Sequence, residues 1–323
     1  MLLNKIKFNY SIKVLDDLFN NKKYDEAIEI LNKYKNNKKL YFALLNYIND
    51  KYLLDFSHSQ FYNKKLFWII GFDQDDNIFI NNFIKFYINN LNLKNIFMTD
   101  YNNFLNLGLK NIITDSSIKE CTFQELVQHS NLYQTSSLLE SNQDNVILTT
   151  SAAFFEAPNN RYFIYPNTTK SYVYVIRNPF QLYLRYKSLN NNSQEALNKI
   201  NQVQEKSLNP KDDIGLVDKI LIDENRQSWP INVKSWVDEN VISAYRGKVI
   251  RYEDLRESKY DMLIEILFHL KQSGLDIDLN YSLVNDYIET HVFDEDYDNN
   301  LSRQETKMIL NSLDQSLLEK FEY

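Results

Sequence analysis

The sequence changes from a β-rich pattern to a helical pattern within a few residues at Arg177-Asn-Pro179. Residues 171–176 combine tyrosine, valine and isoleucine in a continuous apolar run, which is typical of a buried strand. From Pro179 the apolar residues recur at helical spacing, and proline suits the first turn of a helix. The sequence therefore predicts that a buried strand delivers Arg177 to its carboxyl end, where open α/β sheets bind ligands.

Arg177 has two interpretations at that position. Its planar guanidinium can donate two parallel hydrogen bonds to a phosphate, and the start of the following helix also favours an anion. The alternative is a structural arginine that pairs with a carboxylate at the strand end. The sequence of this segment leaves both interpretations open.

Further strands are predicted at residues 66–72, 146–149 and 248–252, and the segments between them carry helical periodicity. Strands that alternate with helices form a parallel sheet with right-handed crossovers. We therefore predict a three-layer α/β domain over residues 61–323, with a central parallel sheet flanked by helices. Residues 190–213, which are rich in asparagine, serine and lysine, are predicted to be an insertion.

Residues 1–60 are predicted to form a separate helical hairpin. Residues 21–31 resemble the turn and second helix of a tetratricopeptide repeat, but no second copy follows at the expected period. Because a solenoid needs about three repeats, a hairpin docked on the main domain is favoured over a peptide-binding module. A surface for a protein partner on these helices remains the alternative.

Composition and charge narrow the classes of function and partner. The net charge is −7, and no basic stripe with interleaved aromatics is present, so nucleic acid is not an expected partner. Cys121 is the only cysteine, which excludes an internal disulfide and a cysteine zinc cluster. No apolar run approaches the roughly 18 residues that span a bilayer, and no leader pattern is found at the start. The sequence therefore predicts a cytoplasmic protein without a membrane segment.

Three segments, taken in order, resemble the sulfotransferase superfamily: residues 175–179, 228–236 and 247–255. Members of this superfamily transfer a sulfuryl group from 3'-phosphoadenosine 5'-phosphosulfate (PAPS) to a hydroxyl or an amine. The resemblance covers residues 66–323 and implies a sulfotransferase-like, P-loop-like fold. It implies that Arg177 grips the 3'-phosphate of the nucleotide and that Trp229 lies in the cofactor site.

Arg185 stands where the family typically has a serine that makes a second contact with the 3'-phosphate. An arginine there could strengthen anion binding, because its fork binds phosphate through two hydrogen bonds. It could equally be a solvated arginine on the helix surface. Both interpretations stay open.

The loop after the first strand, residues 72–77, departs from the family pattern. Gln74 and Asp76 stand where the resemblance places a lysine and a glycine, and Gln74 and Asn77 are the candidates left to contact a cofactor. The chain has five glycines and no glycine-rich phosphate cradle. Two unit charges 4 Å apart interact by about 4 kcal/mol near a protein surface, so carboxylates facing PAPS oppose its binding. Asp75 and Asp76 are predicted to cap the next helix.

The family's general base, a histidine after the next central strand, is also absent. Ser151 occupies its place, and a serine needs an activating group to act as a base near neutral pH. Glu156, five residues further on, is the candidate substitute. The sequence predicts Ser151 and Glu156 as the catalytic candidates of an active enzyme.

A separate acidic segment precedes the last helices. Asp294, Asp296, Asp298 and Glu305 have the spacing of an EF-hand calcium loop, with Asn299 in place of the usual glycine. The alternative is that Ser302 and Glu305 form a capping box at the start of a helix. Calcium is thus a candidate metal for this segment, and no partner EF-hand is found.

Two functions follow from these residues. The first is a sulfotransferase-family domain with weak or lost PAPS-dependent transfer and a binding or regulatory role. The alternative is an active, divergent sulfotransferase that uses PAPS and a hydroxyl or amine acceptor. Fold alone does not decide between them.

Overall fold

A computed structural model describes residues 2–21, 65–100, 143–151, 169–190, 228–291, 301–313 and 315–323, together with isolated positions between these ranges. The predicted insertion at residues 190–213 and the segment 294–300 lie almost entirely outside the described residues.

Five parallel strands form the central sheet, and a short antiparallel pair lies outside it. In chain order the strands are β1 (Lys65–Gly71), β2 (Ile96–Asp100), β3 (Asn145–Thr150), β4 (Glu156–Ala157), β5 (Arg161–Tyr162), β6 (Thr169–Ile176) and β7 (Gly247–Arg251). The central sheet has the order β2-β3-β1-β6-β7, and β4 pairs with β5. β1 therefore lies in the middle of the sheet, and the chain changes sides of β1 between β3 and β6.

Ten helices have both ends within the described residues. They are α1 (Leu2–Asn20), α2 (Ile78–Asn90), α3 (Pro179–Asn190), α4 (Trp229–Trp236), α5 (Glu239–Tyr245), α6 (Tyr252–Glu257), α7 (Lys259–Gln272), α8 (Tyr281–Thr290), α9 (Arg303–Ser312) and α10 (Gln315–Lys320). A 3-10 turn, Gln74–Asn77, joins β1 to α2.

The two faces of the sheet carry separate buried clusters, because side chains alternate along each strand. One face packs Trp68 and Tyr174 against Trp229 and Trp236, and α9 and α10 add residues to the same cluster. The opposite face packs Phe67, Ile69, Val173 and Val175 against α2, α7 and α8. Since all these side chains are buried, the sheet is the middle of three layers.

The predicted fold class, a central parallel sheet flanked by helices, is confirmed. The four predicted strands correspond to β1, β3, β6 and β7, with ends displaced by no more than three residues. The segment before β7, one of those with helical periodicity, forms two helices, α4 and α5, because Asp238 caps α5 by accepting hydrogen bonds from the N–H groups of Asn240 and Val241. β2 was not predicted, and its last four residues are only partly buried.

The amino-terminal part of the chain begins with a helix, as the sequence indicates. α1 spans Leu2–Asn20, and Ser11 and Asp16 on it are contacted by the hydroxyls of Tyr34 and Tyr47, both at isolated described positions. The hairpin interpretation and its boundary at residue 60 fall mostly outside the described residues and stay predictions. Within the described part of the chain, no helix combines the length and the apolar character needed to cross a bilayer.

Candidate functional site

The register of the sheet brings the end of β1 alongside Arg177. Gly71, the last residue of β1, pairs with Val175 of β6, so the residues that follow each strand leave the sheet side by side. The acidic turn after β1 and the Arg-Asn-Pro segment after β6 therefore meet at the carboxyl edge of the sheet. We call this place, formed by residues 72–77 and 177–186, the carboxyl-edge site.

Arg177 is buried in this site and pairs with a carboxylate. Its Nη1 lies 3.4 Å from Oδ1 of Asp76, and the two side chains are 1% and 0% exposed. The guanidinium carbon also lies 4.1 Å from the centre of the Tyr252 ring, a cation–π contact. Nε of Arg177 is buried, and no hydrogen-bond acceptor reaches it from the described residues.

The electrostatics of the pair reflect its burial. Desolvation, followed by the neighbouring charge of Asp73, raises the pKa of Asp76 to about 7, although Arg177 acts in the opposite direction. Desolvation also acts to lower the pKa of Arg177, but Asp76, Tyr252 and Glu253 outweigh it and the pKa is raised. Arg177 is therefore a cation at neutral pH, whereas Asp76 titrates near it.

Arg185 meets the other acidic residue of the turn. Nη1 of Arg185 lies 3.9 Å from Oδ2 of Asp73, and the Tyr186 hydroxyl donates to the same oxygen. The Arg185 side chain is 9% exposed, so it is not the solvated helix arginine of the second interpretation. Both candidate phosphate-binding arginines, Arg177 and Arg185, thus have a carboxylate of the loop after β1 as a partner.

The local geometry of the turn explains why the carboxylates of Asp73 and Asp76 face the two arginines. Oδ2 of Asp76 accepts a hydrogen bond from the N–H of Asp73 at 3.0 Å, which closes the turn on itself. A Cβ on Gly71 would lie 3.0 Å from the Asp73 carbonyl oxygen and 3.1 Å from Cβ of Asp76, so a larger residue there would push against the turn. The predicted capping role of Asp76 is wrong, because its carboxylate points to Arg177 and to the N–H of Asp73 rather than to α2.

Asn77 occupies the capping position of α2, and its side chain is committed locally. Its Oδ1 accepts from Nδ2 of Asn81 at 2.7 Å, and its Nδ2 lies 3.5 Å from the Ile69 carbonyl oxygen. Asn77 is 2% exposed. Gln74 belongs to the 3-10 turn, and the placement of its side chain, like that of Asp75, lies outside the description.

Trp229 holds the main chain at Arg177 through a hydrogen bond. Its Nε1 donates to the carbonyl oxygen of Arg177 at 3.1 Å, and its ring is fully buried in the core under α4. This contact fixes the main chain at the point where β6 ends. Trp229 thus contacts the carboxyl-edge site through the main chain of Arg177, and its predicted contact with a cofactor stays a prediction.

Glu253 joins three segments at the same edge. Its Oε1 accepts from the N–H of Asn178 at 2.9 Å, and its Oε2 accepts from the Tyr323 hydroxyl at 3.1 Å. Asn178 in turn accepts from the N–H of Phe180 and starts α3. The Arg-Asn-Pro segment is thereby held between α6 and the segment that ends at Tyr323.

Ser151 lies just after β3 and is buried. Its carbonyl oxygen accepts from Nδ2 of Asn232 at 3.0 Å, and Oδ1 of the same asparagine accepts from the Tyr174 hydroxyl at 2.9 Å. Asn232 therefore links the ends of β3 and β6 to α4. Glu156 begins β4, and the placement of its side chain lies outside the description.

Glu305 is the one calcium candidate whose side chain is described, and it has four protein donors. Oε1 accepts from Lys187 and from the Tyr183 hydroxyl, while Oε2 accepts from the backbone and the hydroxyl of Ser302. Ser302 and Glu305 form the capping box of α9. Asp294, Asp296 and Asp298 lie outside the described residues, and the described residues contain no cluster of three or more metal-binding side chains.

Sequence reasoning did not identify several residues that build this site. Tyr252 and Glu253 were noted only as part of a motif, and Tyr186, Asn232 and Tyr323 were not singled out at all. Asn232 bonds to a residue that is 58 positions away along the chain, and Tyr186 bonds to one that is 113 positions away. Only the Tyr252-Glu253 pair directly after a strand gave a usable signal.

The fold and this edge define an α/β protein with a buried, carboxylate-paired arginine where such sheets bind ligands. No protein-family model matches the sequence, and no curated protein matches it. Among solved structures, that of the mouse sulfotransferase SULT7A1 complexed with PAP is similar to this chain, with 11% sequence identity and a TM-score of 0.37. The similarity covers 80% of this chain and 82% of that chain. This likeness is weak, and the case for function depends on the residues of the carboxyl-edge site.

Proposed function

We propose that this chain is a sulfotransferase-like protein whose donor-nucleotide site is filled by its own acidic side chains, so that PAPS-dependent sulfuryl transfer is lost and a binding or regulatory role remains. One observation carries the proposal. The carboxylate of Asp76 lies 3.4 Å from Arg177, with both side chains withdrawn from solvent. An arginine that resembles the family's 3'-phosphate ligand already has an anionic partner inside the protein.

The second acidic residue of the turn strengthens this argument. Asp73 contacts Arg185 and Tyr186, so a second cation near the edge also faces a carboxylate. A nucleotide with several phosphate charges would meet both carboxylates at close range. Because like charges about 4 Å apart repel by about 4 kcal/mol at the effective dielectric of a protein surface, the residues of this site do not fit PAPS.

The backbone of the turn gives no compensation. Phosphate cradles depend on several glycines, whose missing side chains let N–H groups approach an oxyanion. Here Gly71 is followed by residues 72–77 without another glycine, and Gly71 serves the close packing of the turn on itself. Ser151, which stands in place of the family's base, has its main-chain carbonyl oxygen engaged by Asn232.

An active, PAPS-dependent sulfotransferase is the alternative, and one observation favours it. Nε of Arg177 is buried without an acceptor among the described residues, and the Asp76 contact is a single long one. A buried guanidinium N–H without an acceptor destabilises the folded state, and a phosphate oxygen that accepted its hydrogen bond would remove that penalty. In this alternative Asp76 takes up a proton or moves aside when the cofactor binds.

Isothermal titration calorimetry with 3'-phosphoadenosine 5'-phosphate separates the two functions. We expect no saturable binding to the unaltered protein and a measurable gain in affinity for Asp76→Asn, which removes the charge and keeps the shape. The gain should vanish in Asp76→Asn/Arg177→Ala. Micromolar binding to the unaltered protein that is lost in Arg177→Ala would establish the active alternative instead.

A transfer assay gives an independent readout. Release of 3'-phosphoadenosine 5'-phosphate from PAPS, measured in the presence of mixed hydroxyl and amine acceptors, should not exceed the protein-free background. If Asp76→Asn gains neither affinity nor turnover, the acidic turn is not what prevents binding and the proposal fails in its electrostatic part.

We also propose that the protein acts in the cytoplasm and that its amino-terminal helices supply a surface for a protein partner. The exposed Tyr10 on α1, which is 68% accessible, supports such a surface. Removal of residues 1–60 should then abolish partner capture while the α/β domain keeps its melting temperature.

A further inference from the structure

Three cations meet at the edge of the sheet opposite to the carboxyl-edge site. Lys65 begins β1, Lys170 is the second residue of β6, and Arg246 immediately precedes β7. Because all five strands are parallel, their amino ends lie along one edge, about 20 Å from the carboxyl ends of these five- to eight-residue strands. We call Lys65, Lys170 and Arg246 the amino-edge cluster.

The strand register places these residues on adjacent strands. Leu66 pairs with Thr169, and Tyr172 pairs with Gly247, so the amino ends of β1, β6 and β7 lie next to one another. Neighbouring strands are about 4.8 Å apart, which sets the spacing of the three main chains. The register also displaces Arg246 by about two residues along the strands from Lys65, so the three long cationic side chains start within about 12 Å of each other.

A β-bulge distinguishes Lys170 from an ordinary strand residue. The register between β1 and β6 shifts between Leu66 and Phe67, whose partners are Thr169 and Ser171, so Lys170 is the extra residue. Bulges redirect side chains and occur near functional sites more often than elsewhere. Lys170 is also half-buried, which makes its charge more costly than one in open solvent.

Arg246 and Lys65 are each held in place by a specific feature of the backbone. Arg246 adopts a left-handed conformation, with φ of 48° and ψ of 59°, an arrangement that costs free energy for a residue with a Cβ. Lys65 donates one of its three N–H groups to the carbonyl oxygen of Gly274 at 2.7 Å. The ammonium is thereby fixed while two of its donors remain for another acceptor.

Among the residues that the structure describes, no carboxylate pairs with these three cations. Within the described part of the chain, no aspartate or glutamate oxygen lies within 4.0 Å of the charged nitrogens of Lys65, Lys170 or Arg246. Burial lowers the pKa of Lys170, and the positive charges of Lys65 and Arg246 lower it further. By contrast, Lys248 on the same β7 strand pairs with Glu265. In a chain with a net charge of −7, a positive cluster without an acidic partner among the described residues is unexpected.

From this juxtaposition we propose that the amino-edge cluster binds a phosphate group, either inorganic phosphate or a phosphate monoester, with Lys170 at the centre and Lys65 and Arg246 on either side. Three cations on neighbouring strand ends match the several charged oxygens of such a group, and the arginine fork suits two of them. This site is separate from the proposed function, because it uses none of the residues of the carboxyl-edge site.

The test is a titration of the full chain with sodium phosphate and, separately, with glycerol 3-phosphate, at constant ionic strength maintained with sodium chloride. Binding is followed by calorimetry and by the NMR signals of the lysine side chains. We expect saturable binding that raises the pKa of Lys170. Tighter binding of the monoester identifies the ligand as an esterified phosphate, and equal or weaker binding identifies inorganic phosphate.

Two variants and two controls make the result decisive. Lys170→Met and Arg246→Asn should each weaken binding about tenfold, and asparagine tolerates the left-handed conformation at position 246. Lys85→Gln on α2 and Lys307→Gln on α9 each remove an exposed lysine outside the cluster and should leave binding unchanged. Absence of saturable binding would overturn the proposal, as would equal affinity of the unaltered protein, Lys170→Met and Arg246→Asn. If Lys170→Met does not fold, Arg246→Asn alone decides.

Discussion

Asp76 and Arg177 form an ion pair in the interior of the protein, with side chains that are 0% and 1% exposed. They come from the segments after two neighbouring strands, β1 and β6, and both belong to the edge where a sheet of this type binds ligands. A buried ion pair carries a large desolvation cost, so its presence is weak evidence for stability and stronger evidence that removal of one partner is damaging.

Arg177→Met should therefore destabilise the protein by about 3 kcal/mol at pH 8, because it leaves the Asp76 carboxylate buried without its cation. At pH 5 the loss should be smaller, since the carboxylate is then protonated. Urea denaturation at the two pH values measures both losses. Arg251→Met is the matched control: Arg251 ends β7 and pairs with Asp254 and with Glu322 near the surface, so we expect a loss of about 1 kcal/mol or less. Equal losses for Arg177→Met at both pH values would contradict this account.

The raised pKa of Asp76 predicts a pH dependence of stability with a definite sign. The folded pKa of about 7 lies above the unfolded value of 3.8, so the folded state binds more protons between these values. The free energy of unfolding contributed by Asp76 is thus highest below about pH 4 and falls as the pH rises to 7, by an amount on the order of 2 to 4 kcal/mol. Asp76→Asn removes this slope, so the difference between the two proteins, measured by urea denaturation from pH 4 to pH 8, isolates it. A flat difference would show that Asp76 does not titrate in this range.

The lowered pKa of Glu305 predicts a contribution to stability that changes with pH in the opposite direction and at lower pH. Its hydrogen bond with Lys187, followed by those with Ser302, lowers its pKa from 4.5 to about 2. The stabilisation is fully present above about pH 4.5 and is lost as the pH falls towards 2. Glu305→Gln should cost about 1 to 2 kcal/mol at pH 7 and progressively less below pH 4. Glu319→Gln, at an exposed position on α10, should have no such effect, and thermal melting across this range compares the two variants.

Gly247→Ala should destabilise the protein by about 2 kcal/mol or more, because overpacking of a core displaces its side chains. A Cβ at position 247 would lie 2.2 Å from the Tyr172 ring, whose hydroxyl donates to the carbonyl oxygen of Trp236 at 2.6 Å. In a Tyr172→Ala background the same glycine substitution should cost almost nothing, since the clashing ring is gone. Additive losses in a double-mutant cycle would show that the two positions do not compete for space.

The layers of the fold could be predicted because the buried strands are continuous apolar runs in the sequence. Residues 66–72 and 171–176 pack on both faces, so they lack polar interruptions and stand out from the segments around them. β2 carries no such signal, since this strand at the edge of the sheet is short and mostly half-exposed. The break between α4 and α5 was likewise missed, although Asp238 is a good capping residue, because the apolar pattern continues across it.

The site was predictable only in part. The position of Arg177 at the strand end followed from the strand and the proline. The structure pairs Arg177 with a carboxylate, and its role as a phosphate ligand stays a prediction. Its partner, Asp76, was read as a helix cap, because acids before a helix usually have that role. The fold-back of the turn depends on the close approach of the chain to Gly71 and on the register between β1 and β6, and local sequence shows neither the approach nor the register.

The short turn between β1 and Asp76 has a consequence for any competitor at Arg177. The Asp76 carboxylate is held by the folded chain, five residues after the end of β1, so it faces Arg177 at an effective concentration of roughly millimolar or higher. It gives up no translational freedom in doing so. A free anion at micromolar concentration therefore does not displace Asp76 from Arg177 unless it makes additional contacts. A ligand that does displace Asp76 would carry its own signature, the uptake or release of a proton on binding.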